Sequence, residues 1–409
     1  MHPTEKTGLS GPKSASSSSR SFINKTKTED KPKDDPLNKM LENKKVINEK
    51  QINKEKEKTN ETNNFNLNNN YYLQNFNKND FYYNPKFYKN QEKIKGIYGF
   101  KNNKLANNCF INSSLQNLFH CNFFLKSMNS ISDKRIEGKK LANEIKRLSK
   151  EIYDGKDDLE SKKIKQILSE AIEKYKYDEQ NDANEFIIIF LNQLLKELNE
   201  IGKYEPGLIP TNQMELDAFN KLEKNFFLKN KCFLLNFFYG RIEKEYCCEK
   251  GHLCLVKFNN FSSLTLPKSN KSSTIEELLN LYQTNKQIED TILCKECQKV
   301  CKYSIKTKIY NIPKYFILSL EKDDTHYSSD IIDSRIIETK NFMEGINKTY
   351  YLTSLVSYSG NKKAGHYIAK VLQDNEWCLI NDSHYWKIDA SEILDKYAKI
   401  LFYTIEDLY

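Results

Sequence analysis

Apolar side chains change their spacing twice along this chain. Over the first ninety or so positions they are sparse and recur at no fixed interval. From Leu115 to about Leu198 they return at helical spacing. The clearest case is Ala183–Leu198, where Phe186, Phe190, Leu191, Leu194, Leu195 and Leu198 form one broad apolar face. After Lys224 the runs become short and β-like: Phe233–Phe238, Leu253–Phe258, Ile305–Ile309, Tyr315–Leu320, Tyr350–Tyr358, His366–Leu372 and Trp377–Ile380. Gly, Asn, Pro and Lys clusters bound them. No internal repeat is visible. A helical half followed by an antiparallel β half predicts an α+β fold.

Composition sharpens the first boundary. Hydrophobic residues make up 38% of 409, and mean hydropathy is -0.74. The opening segment carries the Ser16–Ser19 run and the Asn68–Asn70 run. It cannot bury enough surface to offset its ordering entropy, so residues 1–90 are expected to be a disordered, basic, Asn-rich tail. Tyr71–Lys95 is an aromatic-rich transition, and ordered structure is expected from about residue 95 to 407. The tail holds 17 Lys and Arg against 11 Asp and Glu, so most of the net +9 lies there. Acids are interleaved with the bases, which reads as a solvated linker, and no nucleic-acid partner is expected. The start lacks an apolar leader segment. The longest apolar run, Phe186–Leu191, falls far short of the about 20 residues of a membrane span. Ten cysteines without a leader suggest a reducing compartment, cytoplasmic or nuclear. There, thiols serve as metal ligands, nucleophiles or core.

One thiol stands out. Asn107-Asn108-Cys109-Phe110-Ile111-Asn112-Ser113-Ser114-Leu115-Gln116 places Cys109 between an Asn-rich turn and the first helical segment. Asn107 or Asn108 is positioned to cap that helix. Unpaired N–H groups and the positive end of the helix dipole favour a thiolate. Taken alone, a buried inert cysteine is the commoner outcome.

A partner for Cys109 lies near the other end of the chain. Gly365-His366-Tyr367 begins one β run, and Asp374-Asn375 turns it into Trp377-Cys378-Leu379-Ile380-Asn381-Asp382. Such a hairpin brings His366 to within about 5 Å of the opposite strand. A one-residue register difference decides whether Asn381 or Asp382 shares its face. Either would orient the imidazole toward a thiol, as in a Cys–His–Asn site.

These residues carry a family pattern. The Cys109 segment, with Gly99-Phe100 before it, resembles the ubiquitin-specific protease motif Gly-Leu-x-Asn-Leu-Gly-Asn-Thr-Cys-Tyr-Met-Asn-Ser-x-Leu-Gln. Gln180-Asn181-Asp182-Ala183-Asn184-Glu185-Phe186 resembles its Gln-Gln-Asp-Ala-x-Glu-Phe motif, and Ile312–Leu320 its Leu-Pro-x-x-Leu-x-Ile-x-Leu strand. The Gly365-His366-Tyr367 and Trp377–Ser383 segments resemble its His box. The matches are collinear over residues of about 95–405.

The resemblance implies a papain-like thumb–palm–fingers fold, with thumb at about 95–225, fingers at about 230–310 and palm at about 311–407. It implies a deubiquitinating thiol protease acting after the C-terminal glycine of ubiquitin. Cys109 would be nucleophile, His366 general base, Asn381 the orienting residue and Asp382 the second acidic residue. Gln180, Asp182, Glu185 and Tyr367 would meet the ubiquitin tail, although Asp182 and Glu185 equally suit plain helix capping. Ubiquitin and ubiquitinated proteins are the implied partners, the chain is expected to act as a monomer, and no cofactor is needed for catalysis.

Two departures are visible. Counted back from Cys109, Lys104 and Ala106 replace the family's oxyanion Asn and its Gly, leaving Asn103 or Asn107 as oxyanion candidates. In the fingers, Cys294-Lys295-Glu296-Cys297 resembles half of the family's zinc knuckle. The other half reads Cys247-Cys248-Glu249-Lys250-Gly251-His252, with Lys250 at a ligand position. The resemblance implies structural zinc on Cys247, Cys294 and Cys297, with Cys248, His252 or Cys254 completing the four ligands.

Overall fold

The computed structural model describes residues 97–102, 107–157, 159–199, 208–269, 271–321, 331–332, 334–360 and 365–405. The tail at 1–90, the transition at 71–95, Asn103, Lys104 and Ala106 lie outside these residues. Short β1 (Phe100–Lys101) pairs in parallel with β2 (Leu159–Glu160). The helices of the thumb are α1 (Cys109–Phe119), α2 (Asn122–Ser130), α3 (Asp133–Ile136), α4 (Lys140–Tyr153), α5 (Lys162–Ser169), α6 (Ala183–Glu197), α7 (Gln213–Leu222) and α8 (Phe233–Phe238).

The apolar face read from the sequence places α6. Phe186, Phe190, Leu191 and Leu194 are fully buried, and Leu195 nearly so. Each contributes about 1.5–3 kcal/mol relative to exposure. Asp182 caps this helix by accepting the Glu185 N–H at 2.9 Å. Helix α1 is buried over its whole length despite Asn112, Ser113, Ser114, Gln116 and Asn117. Its polar side chains bond backbone carbonyls: Ser114 Oγ to Phe110 O, Asn117 Nδ2 to Ser113 O, and Gln116 Nε2 to Tyr98 O. The helix thereby sits in the core without stranding those donors.

Phe233–Phe238 is helix α8, not a strand. A six-residue apolar run does not reveal its period, and here it fills the thumb core with Leu234, Leu235 and Phe238.

The chain then runs through β3 (Gly240–Cys248), β4 (Leu253–Phe261), β5 (Leu264–Leu266), α9 (Ile275–Tyr282), β6 (Lys286–Cys294) and β7 (Lys299–Asn311). Strands β4-β3-β7-β6 form the finger sheet. A buried ion pair ties it to the thumb. Arg241 Nε and Nη2 reach Glu223 Oε1 at 2.9 and 2.7 Å, and the guanidinium lies 3.9 Å over the Phe227 ring.

The palm contains β8 (Tyr315–Leu320), β9 (Ile336–Glu338), β10 (Thr349–Gly360), β11 (Gly365–Gln373), β12 (Glu376–Asn381), β13 (His384–Lys387) and β14 (Ala398–Ile405). Its order is β13-β12-β11-β10-β14-β8-β5, with β9 on β10. The thumb core, with Val356, Ile400 and Phe402, covers one face. A second core around Leu318, Leu355, Leu401 and α9 covers the other. Strand β4 leads into β5 and β7 into β8, so the fingers rise from one edge of the palm and β13 closes the opposite edge.

Candidate active site and cysteine cluster

Cys109 is the first residue of α1 and is only 4% exposed. The preceding turn bends through Asn107, whose φ is +46°. Neither expected cap operates. Asn107 donates its amide to Asp178 O at 2.7 Å. Asn108 occupies the N-cap position without a side-chain bond to the helix. The Asn107 amide thus places one of its two N–H donors on the loop before α6.

His366 stands at the start of β11, with Cys109 near enough to act on its imidazole. Its Nε2 lies 2.7 Å from Asn381 Oδ1. With Nε2–H held by this acceptor, Nδ1 is the nitrogen left for the sulfur. The Cys109 contact first, then the Asn381 bond and the Asp382 charge, push the imidazole pKa up to about 9, against the opposing effect of burial. The alternative left open by the register is decided in favour of Asn381 as the direct partner.

Asp382 does something different. Its Oδ2 is 3.8 Å from His366 Nε2. Its Oδ1 accepts from Asn112 Nδ2 at 2.7 Å and its Oδ2 from Asn102 Nδ2 at 2.9 Å. Its carbonyl accepts the Phe100 N–H at 2.9 Å. A Cβ on Gly99 would come within 2.5 Å of Ser383 Cα, so only glycine allows this approach. One carboxylate therefore joins β1 and α1 to the palm.

Asn102 and Asn112 were not singled out from the sequence. Asn102 follows Gly99 at the interval of the Asn in Gly-Leu-x-Asn, and its Oδ1 also accepts the Asn108 N–H at 3.3 Å. Counting forward from Gly99, rather than back from Cys109, finds it. Cys109 lies ten positions after Gly99, where the motif has eight, and this two-residue insertion separates the two counts.

Gln180 brackets the residue before the histidine. Its Nε2 donates to Gly365 O at 2.5 Å, and its Oε1 accepts the Gly365 N–H at 2.8 Å. Any Cβ at Gly365 would run into the Tyr358 ring, at 2.2 Å from its hydroxyl oxygen. Tyr367 is buried against Tyr358, with ring centroids 4.4 Å apart. Besides the Asp182 cap, Glu185 pairs with Lys174 at 2.5 Å.

At the finger tip, Cys248, His252, Cys294 and Cys297 bring one ligand atom each to within 4.8 Å of one another. His252 Nδ1 is 3.3 Å from Cys297 Sγ and 3.7 Å from Cys294 Sγ, and Cys248 Sγ is 3.9 Å from Cys297 Sγ. A tetrahedral zinc with bonds of about 2.0–2.3 Å sets its ligands about 3.5–3.8 Å apart, so three thiols and an imidazole here fit that ion. Cys247 is not in the set, which corrects the sequence expectation. The β3–β4 register shifts between Tyr246 and Cys247, and neighbouring residues on a strand project to opposite faces. Cys248 takes its place. Cys254 bonds the His252 carbonyl at 3.4 Å and packs beside the set.

A family model described as "Ubiquitin carboxyl-terminal hydrolase" matches residues 98–403. The chain belongs to this family. Among ubiquitin carboxyl-terminal hydrolases it is 25% identical over 337 residues to probable ubiquitin carboxyl-terminal hydrolase 4 of Schizosaccharomyces pombe, covering 72% of this chain and 57% of that protein. It is 24% identical over 331 residues to ubiquitin carboxyl-terminal hydrolase Usp2 of Drosophila melanogaster, covering 76% and 35%. The chain thus spans about half the length, or less, of these curated relatives. Its fold resembles the SAGA DUB module of Ubp8, Sgf11, Sus1 and Sgf73 bound to monoubiquitin, with TM-score 0.60 and 21% identity over 77% of this chain and 70% of that one. The thumb–palm–fingers hydrolase fold stands on that likeness and on the family match.

Proposed function

We propose that the chain is a cysteine deubiquitinase that hydrolyses the peptide or isopeptide bond after the C-terminal glycine of ubiquitin. One observation carries this reading: His366 Nε2 lies 2.7 Å from Asn381 Oδ1, with Cys109 near enough to be the chief cause of the raised imidazole pKa. The Cys109 sulfur attacks the glycine carbonyl carbon while His366 holds its proton. The tetrahedral oxyanion collapses, the C–N bond breaks, and His366 gives the proton to the leaving amine. Water, deprotonated by His366, then cleaves the thioester and frees the ubiquitin carboxylate. The first-turn N–H groups of α1, which begins at Cys109, would be oxyanion donors. Asp182, Glu185 and Tyr367 would line the route of the ubiquitin tail, and Gln180, bonded to Gly365, would support the strand that carries His366. Cys248, His252, Cys294 and Cys297 would hold zinc, which supplies a cross-link between the two finger hairpins and takes no part in bond cleavage.

Ubiquitin carrying a C-terminal electrophile tests the reading. A covalent adduct on wild type, absent in Cys109→Ala, supports it. Tight ubiquitin binding without adduct points to a non-cleaving ubiquitin reader instead.

A further inference from the structure

The finger tip holds more sulfur than one zinc ion uses. Beside Cys248, His252, Cys294 and Cys297 lie two further thiols, Cys254 on β4 and Cys301 on β7. Neither is in a disulfide, and Cys254 is half-buried while Cys301 is buried. Cys248, Cys294 and Cys301 form one buried cluster, with Cys254 and Cys297 packed against it. Cys301 has a local use, since its thiol is directed at the Lys299 carbonyl of its own strand, 3.6 Å away. A buried cysteine of that kind is ordinary packing.

Cys254 differs. Its thiol donates to the His252 carbonyl at 3.4 Å, so it is aimed at the residue that carries the one nitrogen donor of the four. It also stands near enough to Cys294 for the two thiols to act on each other. The two candidate donors sit on different backbone. His252 ends a tight turn, in which Cys248 O accepts the Gly251 N–H at 2.7 Å and Gly251 takes a φ of +85°. Cys254 belongs to β4 itself, which is paired with β3. The imidazole therefore rides on the turn, whereas the spare thiol is carried by the sheet.

Chemistry separates the two donors as well. Imidazole suits zinc, and thiolate is preferred by softer ions. Three thiols are common to both sets, so exchanging one donor turns three sulfurs and a nitrogen into four sulfurs. We propose that Cys254 is an alternate fourth ligand: His252 completes the set for zinc, and Cys254 completes it for a softer d10 cation. The cross-link between the β3–β4 and β6–β7 hairpins then survives the exchange of one ion for the other. This inference rests on the metal set proposed above.

Cd2+ is the probe, loaded into the full chain in place of zinc. The ultraviolet charge-transfer band of a Cd2+ thiolate site grows with the number of sulfurs bound. It is expected to be about a quarter weaker in Cys254→Ser than in wild type, and unchanged in His252→Ala and Cys301→Ala. Zinc should displace Cd2+ from Cys254→Ser at about tenfold lower concentration than from wild type. Zinc itself should stay at about one equivalent per chain in Cys254→Ser, which also shows that this variant folds. Bands of equal strength in wild type and Cys254→Ser overturn the proposal. So does a band that weakens in Cys301→Ala instead, or loss of Cd2+ from His252→Ala. A wild type that binds neither ion removes the metal reading itself, and this exchange with it.

Discussion

Asn381 Oδ1 meets His366 at Nε2, the ring nitrogen opposite the one left for Cys109. Asn381→Ala is therefore expected to lower kcat on ubiquitin–aminomethylcoumarin about 10²-fold. Asn381→Asp keeps the acceptor and should restore most of the rate. Asp382→Ala removes the acceptor of Asn102 and Asn112, and should cost about 1–3 kcal/mol of stability in denaturant titration. Full activity in Asn381→Ala would displace it from the orienting role.

Gln180 and Gly365 join thumb and palm at the residue before the histidine. Gln180→Ala breaks both bonds and should reduce kcat by roughly 10-fold or more, with KM little changed, as loss of a supporting hydrogen bond does. Steady-state kinetics separates this from the substrate-binding role read in the sequence, under which KM would rise instead.

The imidazole pKa, raised to about 9 chiefly by Cys109, fixes a sign. A raised histidine contributes stability that is full below about 6.5 and lost as pH climbs through 9. The same deprotonation removes the acid needed by the leaving amine. The alkaline limb of kcat/KM is expected near pH 9, and Asn381→Ala should move it to lower pH because one raising contact is gone. A limb that does not move argues against that contact.

Zinc bound at the finger tip would have a specific ligand signature. Metal analysis of protein purified without added zinc should find about one equivalent per chain. Cys248→Ser and Cys297→Ser are expected to lose it, whereas Cys247→Ser keeps it. Chelation should lower the melting temperature by about 5 °C or more in a thermal scan. Metal loss in Cys247→Ser would restore the set implied by the resemblance.

The sequence made α6 legible because one face is wholly apolar, and made Cys109 and His366 legible because motif and chemistry coincide. It was silent where geometry turns on one residue. Asn381 and Asp382 differ only in register, and Cys247 and Cys248 only by the shift in β3. Strand β3 itself escaped notice: Arg-Ile-Glu-Lys-Glu-Tyr is charged on a sheet that is part-exposed, so burial imposes no clean alternation. Asn102 was hidden by an insertion that moved the counting origin.

The place of β14 bears on when the molecule becomes reactive. It is the last strand described, yet it lies between β10 and β8 inside the sheet. Asn112 and Asp382 meet across 270 positions. During synthesis the nucleophile's helix emerges long before its base, and the sheet that carries the base closes only after β14 arrives. A chain interrupted before β14 lacks the closed sheet that presents His366 to Cys109, so the proposed hydrolysis would await the completed palm.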